Sequence, residues 1–240
     1  MKIRLLSDLH LEFYDNPSIY QSQGEDVLVL AGDVHAGIHK TAGALAKFHA
    51  KQKNIVYLPG NHEYYGTSVA EFDRAIGTVA RDLGIHLLNP GMVQLQSVTF
   101  IGATLWTNFG NNPYAAHAAA NGINDFRHIR GFDTTACSLL YDTHADYIQQ
   151  AYAATSGTRI IVTHFLPAAE CIAAEYKGAN LINNYFANDL GGYISTLQNT
   201  TWLFGHTHTT TDIVLGTTRC VANPYGYNRN HNYQECVFEV

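Results

Sequence analysis

The chain has 240 residues, 46% of them hydrophobic and only 14% charged, against roughly 25% charged in an average globular protein. That composition supports one sizeable core, expected as a single domain over residues 1–240. A net charge of −6 excludes a broad basic surface for nucleic acid, and no apolar run approaches the roughly 18 residues of a membrane-spanning helix, so no membrane partner is expected.

Lys2 to Ser7 alternates and then runs apolar, as a first strand does, and stops at Asp8. Leu11 to Glu25 is polar, holds Pro17 and Gly24, and reads as a loop. Asp26 to Ala31 is a continuous apolar run suited to a strand buried on both faces, ending at Gly32 and Asp33. Ala42, Leu45, Ala46 and His49 recur at helical spacing and predict a helix over 39–50, followed by a strand from Asn54 to Leu58 that Pro59 and Gly60 stop. Thr67 to Leu83 repeats the helical spacing and leads into a strand over Ile85 to Leu88. Met92 to Leu95 and Val98 to Ile101, separated by Gln96 and Ser97, predict a hairpin or two consecutive strands.

Trp106 to Phe132 shows no clean period and is expected to be a long loop shaping a binding pocket. Thr134 to Thr155 is a long helical pattern before the strand Arg159 to Val162, which ends at Thr163 and His164. A short helix over Ala168 to Tyr176, an Asn-rich connection and a helix over Asp189 to Leu197 are expected before the strand Thr201 to Phe204. Asp212 to Leu215, Thr217 to Val221 and Cys236 to Val240 close the chain as short strands. This order predicts an α/β fold of four layers (αββα), two mixed sheets face to face with helices outside.

Ligand-type side chains follow these strands in five short stretches: Asp8 and His10; Asp33; Asn61 and His62; His164; His206 and His208. Open α/β sheets place their sites just past the carboxyl ends of strands. Carboxylate, amide and imidazole donors suit Mn, Fe, Zn, Ni or Co, and the absence of cysteine from the set argues against a structural zinc site. Cys137, Cys171, Cys220 and Cys236 have no paired spacing and read as reduced thiols, which suits a cytoplasmic protein. A lone DxH or GD pair is common by chance, whereas five such stretches in order after strands are not. Arg127 and Arg130, in NDFRHIR, are second-tier candidates because guanidinium bonds phosphate in a bidentate way. His35, two residues beyond Asp33, is a candidate at the rim of the site, and His117 and His128 could face it from the long loop, while the remaining histidines, His231 among them, read as ordinary positions.

The blocks SDLH, GDVH, GNHE, TH and GHTH, in this order between residues 7 and 208, resemble the calcineurin-like metallophosphoesterase superfamily. The resemblance implies that Asp8, His10 and His208 hold one divalent metal, that Asn61, His164 and His206 hold a second, and that Asp33 bridges them, with Mn favoured for activity. It further implies hydrolysis of a phosphate ester by in-line attack of a hydroxide shared by the two cations. His62, beside a ligand but not itself one in that superfamily, is the expected proton donor to the leaving alkoxide, and Glu63 is expected to orient its loop. A similar Asn-Asp-aromatic-Arg block in some members tips Arg127 and Arg130 toward substrate. This chain departs from many relatives at Phe165, where they carry a second histidine, and at Tyr225 of NPYGY, where they carry arginine. The expected activity is a phosphodiesterase on a small anionic ester or nucleotide. A nuclease on single-stranded or damaged nucleic acid is the alternative among enzymes, and a non-catalytic protein-binding scaffold the alternative of another class.

Overall fold

A computed structural model, which describes residues 1–14, 20–178, 180–227 and 236–240, arranges the strands in two sheets. In the first, β1 (Lys2–Leu6), β2 (Val27–Ala31), β3 (Ile55–Leu58) and β4 (His86–Leu87) run parallel in that order, and β11 (Val237–Glu239) lies antiparallel on the outer side of β1. In the second, β6 (Val98–Ala103), β7 (Thr158–Thr163), β8 (Thr200–Phe204) and β10 (Thr218–Ala222) run parallel, edged by the antiparallel strands β5 (Gly91–Leu95) and β9 (Thr211–Leu215). Parallel neighbours need crossovers, which α1 (Ile38–Lys51), α2 (Val69–Leu83) and α5 (Thr134–Ala153) supply.

The period of two along each strand sorts side chains into layers. Ile3, Leu5, Val29 and Val56 meet Phe100, Ile160, Val162 and Leu203 between the sheets. Leu28, Leu30 and Tyr57 face the other way, onto Leu45 and Phe48 of α1 and Phe72 and Ile76 of α2. Ile101, Ile161, Trp202 and Phe204 cover the far side of the second sheet beneath Ala145 and Ile148 of α5. Each fully buried aliphatic side chain contributes on the order of 1.5–3 kcal/mol, so this alternation fixes which face each strand presents. The result is the four-layer sandwich of two mixed sheets that the element order implies.

Helix ends follow local chemistry. Ser68 and Glu71 form a capping box that starts α2, and Gly84 ends it in the left-handed conformation. Asp133 starts α5 by accepting from the Ala136 N–H at 2.8 Å.

Two expectations need correction. The stretch from Trp106 to Phe132 is not a plain loop, because α3 (Pro113–Gly122) and α4 (Asp125–His128) lie within it. Asn112 accepts from the N–H groups of Tyr114 and Ala115, and Pro113 takes the first helical position. Helix α3 is so rich in alanine that no apolar stripe marks it, and its Asn-Pro start is the signal that periodicity missed. Between β7 and β8, the helix expected over Ala168 to Tyr176 is two 3-10 turns, Ala169–Cys171 and Ala174–Tyr176, and the Asn-rich connection carries α6 (Asn180–Phe186). The helix expected over Asp189 to Leu197 shortens to the single turn α7 (Gly191–Ile194). Pro17 and His231 lie outside the described residues. Among the described residues no helix is long and apolar enough to cross a membrane.

Candidate metal centre

Strands β1, β2, β3, β7 and β8 end on one side of the molecule, and the five predicted stretches meet there. The backbone turns sharply at each end. Asp8, His10, Asp33, His206 and His208 all have positive φ, from 43° to 64°, a conformation that costs a residue with a Cβ roughly 1–2 kcal/mol. Hydrogen bonds between strand ends hold these turns: Asp8 N–H donates to the Gly32 carbonyl (3.0 Å), His10 N–H to the Asp33 carbonyl (2.9 Å), and His206 N–H to Asp8 Oδ1 (2.9 Å). Such strain clusters at functional sites. Glycine is required at two positions by close approach. A Cβ on Gly60 would lie 2.2 Å from Asp33 Oδ1, and one on Gly32 would lie 2.3 Å from His164 Nδ1.

The donor atoms converge in two groups. Asn61 Nδ2 donates to Asp125 Oδ1 at 2.9 Å, which turns Asn61 Oδ1 toward His164 Nε2, 3.1 Å away. His164 Nδ1–H donates to the Ala31 carbonyl (2.9 Å), so Nε2 presents its lone pair inward. His206 Nδ1 (3.2 Å) and Asp33 Oδ1 (3.5 Å) approach the same nitrogen. In the second group His10 Nδ1–H donates to Glu12 Oε1 (3.2 Å), leaving Nε2 3.0 Å from His208 Nε2 and 3.6 Å from Asp33 Oδ2. His208 Nε2 is 3.5 Å from Asp8 Oδ1. Carboxylate, amide and imidazole groups converging in a buried site form a donor set that fits divalent ions of the Mn, Fe or Zn type. Within each of the triads Asp8–His10–His208 and Asp33–His164–His206 the potential ligand atoms lie within 4.8 Å of one another, with Asp33 also in a third triad beside His10 and His62.

The electrostatics describe the same demand for positive charge. Burial raises Asp8, but His208 and His164 beside it bring it down to about 2. Burial likewise opposes ionisation of Asp33, which His164 and His62 nevertheless hold well below the usual carboxylate range. Burial pulls His164 down, and Asp33 and Asp8 reverse that, pushing it up to about 10. His206, equally buried and facing His164, is instead held well below the ordinary imidazole value.

His62 sits at the edge of this centre. Its N–H bonds Asp33 Oδ1 (2.9 Å), its Nδ1–H donates to Glu12 Oε1 (2.9 Å), and its Nε2 points outward to within 3.1 Å of the Tyr227 hydroxyl. Burial lowers its imidazolium, and Asp33 and Glu12 more than compensate, raising it to about 9. Glu63 lies beneath, fully buried, accepting from the N–H groups of Asp33 (3.0 Å), Val34 (2.8 Å) and Gly60 (3.0 Å). It therefore ties the turn after β2 to the turn after β3. Burial and then the charge of Asp33 push its carboxyl up to about 8, against the pull of those backbone donors.

Three residues beyond the predicted set shape the site. Glu12 fixes the tautomers of His10 and His62 through one oxygen, and its only sequence signal is its place two residues after His10. Burial opposes its ionisation, yet those two imidazoles hold it down at about 2. Asp125 orients Asn61 and accepts from the hydroxyls of Tyr65 (2.7 Å) and Tyr185, from a segment that periodicity leaves blank. Tyr227 lays its ring against His10 and His208, at 4.3 and 4.4 Å between centroids.

The second-tier candidates fall elsewhere. Arg127 donates to the Asn121 carbonyl, and Arg130 pairs with Glu71 at 3.0 Å on the exposed surface. His35 faces the opposite side of Glu12, 3.8 Å from Oε2, in a separate groove. His117 bonds Asn121, and the ring of His128 packs at 5.1 Å from that of Tyr65. Phe165 stacks on His206 with centroids 4.2 Å apart.

A cleft of about 420 Å³ opens from the centre, floored by Asp33, Asn61, His62, His206 and His208. Its walls come from the end of α3, the 3-10 turns after β7, and α6.

Residues 1–210 match the model of the calcineurin-like phosphoesterase family. An uncharacterised protein of Acanthamoeba polyphaga mimivirus is 28% identical over 265 residues, covering 96% of this chain and 92% of that protein. Among solved structures, the phosphopantetheinyl hydrolase of Mycobacterium tuberculosis superposes with a TM-score of 0.81 at 17% identity, covering 100% of this chain and 95% of its own. A Thermus thermophilus protein follows at a TM-score of 0.62 and 13% identity, covering 93% of this chain and 88% of its own. With nearly the whole chain under the family model, the protein belongs to the calcineurin-like phosphoesterases and is a metal-dependent phosphoester hydrolase.

Proposed function

We propose that the protein is a dinuclear phosphodiesterase on a small-molecule or nucleotide ester, acting as one domain in the cytoplasm. In this reading Asp8, His10 and His208 hold one ion, Asn61, His164 and His206 the other, and Asp33 both. The observation that carries it is the convergence of Asn61 Oδ1, His206 Nδ1 and Asp33 Oδ1 on the His164 Nε2 lone pair, with His62 at the edge of the same centre. Mn is the favoured metal, and the four unpaired cysteines support a reducing compartment.

When bound, such a pair of cations supplies charge neutralisation at the phosphate and brings the pKa of a water toward neutrality. The protein's own groups do the rest. Glu12 holds His62 Nδ1, so Nε2 is the nitrogen that carries the proton toward the leaving oxygen. Asp125, through Asn61, fixes which amide atom faces inward. The turns at positive φ hold the donors in place before substrate arrives.

The test is an assay of Mn-loaded protein on bis-p-nitrophenyl phosphate, p-nitrophenyl phosphate, cyclic nucleotides and single-stranded DNA, side by side. The diester and cyclic nucleotides are expected to turn over fastest. Preference for DNA would shift the assignment to a nuclease, and silence on all four would favour the scaffold reading.

A further inference from the structure

Building on that proposed phosphoesterase, we infer that the cleft selects an ester whose organic group is uncharged. Its substrate then carries one anionic phosphate and a neutral, partly apolar alcohol, and esters with a second phosphate or a carboxylate are rejected.

Ile123, Ile172, Ala173, Ile182 and Phe186 give the cleft apolar lining, and no lysine or arginine lines it among the described residues. The two arginines nearest in sequence are occupied at Asn121 and Glu71. The chain does group cations elsewhere: Lys40, Lys47 and Lys51 line the separate groove beside α1, so a cation-free cleft is a local feature. Outside the proposed metal ligands and His62, the charge the cleft holds among the described residues is the carboxylate of Asp125. Asp125 accepts from Asn61, Tyr65 and Tyr185, and so offers a ligand no donor of its own. Beyond the reach of the cations, an anionic substituent would meet apolar carbon and the carboxylate of Asp125 with no counter-ion among the described residues, a desolvation that none of these residues offsets. The polar groups on the wall, Asn124, Asn183 and Thr207, are uncharged and suit hydroxyl or amide groups.

Ile182 is the telling position. It is half-buried, lines the cleft from α6, and belongs to none of the three apolar cores among the described residues. An isoleucine with no core to serve is explained by a ligand that covers it. The cleft volume of about 420 Å³ lies within the usual range for small-molecule sites.

The experiment is calorimetric binding of phenylphosphonate and 4-carboxyphenylphosphonate to the full-length Mn-loaded protein, which reads the wall without turnover. Phenylphosphonate is expected to bind at least about tenfold more tightly, and Ile182→Lys is expected to shrink that ratio below about threefold by supplying the missing counter-charge. Equal affinities in the wild type, or a ratio unmoved by Ile182→Lys in a folded variant, would overturn the inference. Binding of neither phosphonate while bis-p-nitrophenyl phosphate is still hydrolysed would overturn it too. Loss of both binding and hydrolysis would instead sink the phosphoesterase reading beneath it. Should the lysine variant fail to fold, the two wild-type affinities decide the matter.

Discussion

The floor and the wall of the cleft are built in opposite ways. The floor is made of residues at strand ends, nearly all buried, held by hydrogen bonds between one strand's turn and the next and strained at five positive-φ positions. The wall is made of short helices and 3-10 turns whose side chains are mostly half-exposed. A pair of cations tolerates little displacement of its ligands, so the floor stores strain to hold them. An organic group makes contacts of area and polarity, and a wall of short elements meets that need without close geometry. The floor is expected to be intolerant of substitution and to govern the reaction, while the wall tolerates change and governs selection.

The largest expected effect breaks the floor. Asp33→Asn removes the carboxylate that both donor groups share, so metal per chain measured by atomic emission should fall toward zero and activity with it. A variant that retained both ions would take Asp33 out of the bridging role. Next is His62→Ala, which should keep both ions and lower kcat about 10²- to 10⁴-fold on alkyl esters, with far less effect on p-nitrophenyl esters whose leaving group needs no proton. Equal losses on both ester types would remove His62 from proton transfer.

Glu12→Gln sits between the two regions, since it touches the floor through His10 and the proton donor through His62. Removing the anion takes away a charge that raises His62, so its imidazolium should lose the proton at lower pH. The alkaline limb of the kcat profile on alkyl esters should therefore move toward acid, with kcat at neutral pH down about tenfold. A pH profile unchanged in position would show that Glu12 only packs. The smallest effect is expected from Arg127→Ala and Arg130→Ala, whose partners lie outside the cleft and whose exposed contacts contribute at most about 1 kcal/mol. A rise in KM beyond about threefold for either would place it back on the substrate.

How much of this was legible beforehand differs between the same two regions. Asp8, His10, Asp33, Asn61, His164, His206 and His208 are readable because each follows a β-rich apolar run, and their chemistry is carried by residue type. The wall is opaque because half of α3 is alanine and three of the seven residues of α6 are asparagine, so neither shows the apolar stripe from which a helix is recognised. Arg127 and Arg130 carry a residue type that suits phosphate, and only the structure shows Arg127 at the Asn121 carbonyl and Arg130, beyond the end of α4, beside Glu71.

The sequence by itself determined the layers and the donor set, because alternation along strands and the kinds of side chain at their ends are local properties. Only the tertiary structure decided which atoms face one another. That Glu12 serves both His10 and His62 and that Asp125 turns Asn61 depend on contacts between segments up to 64 residues apart. No local pattern encodes those contacts, since they exist only once two packed sheets have brought the strand ends together.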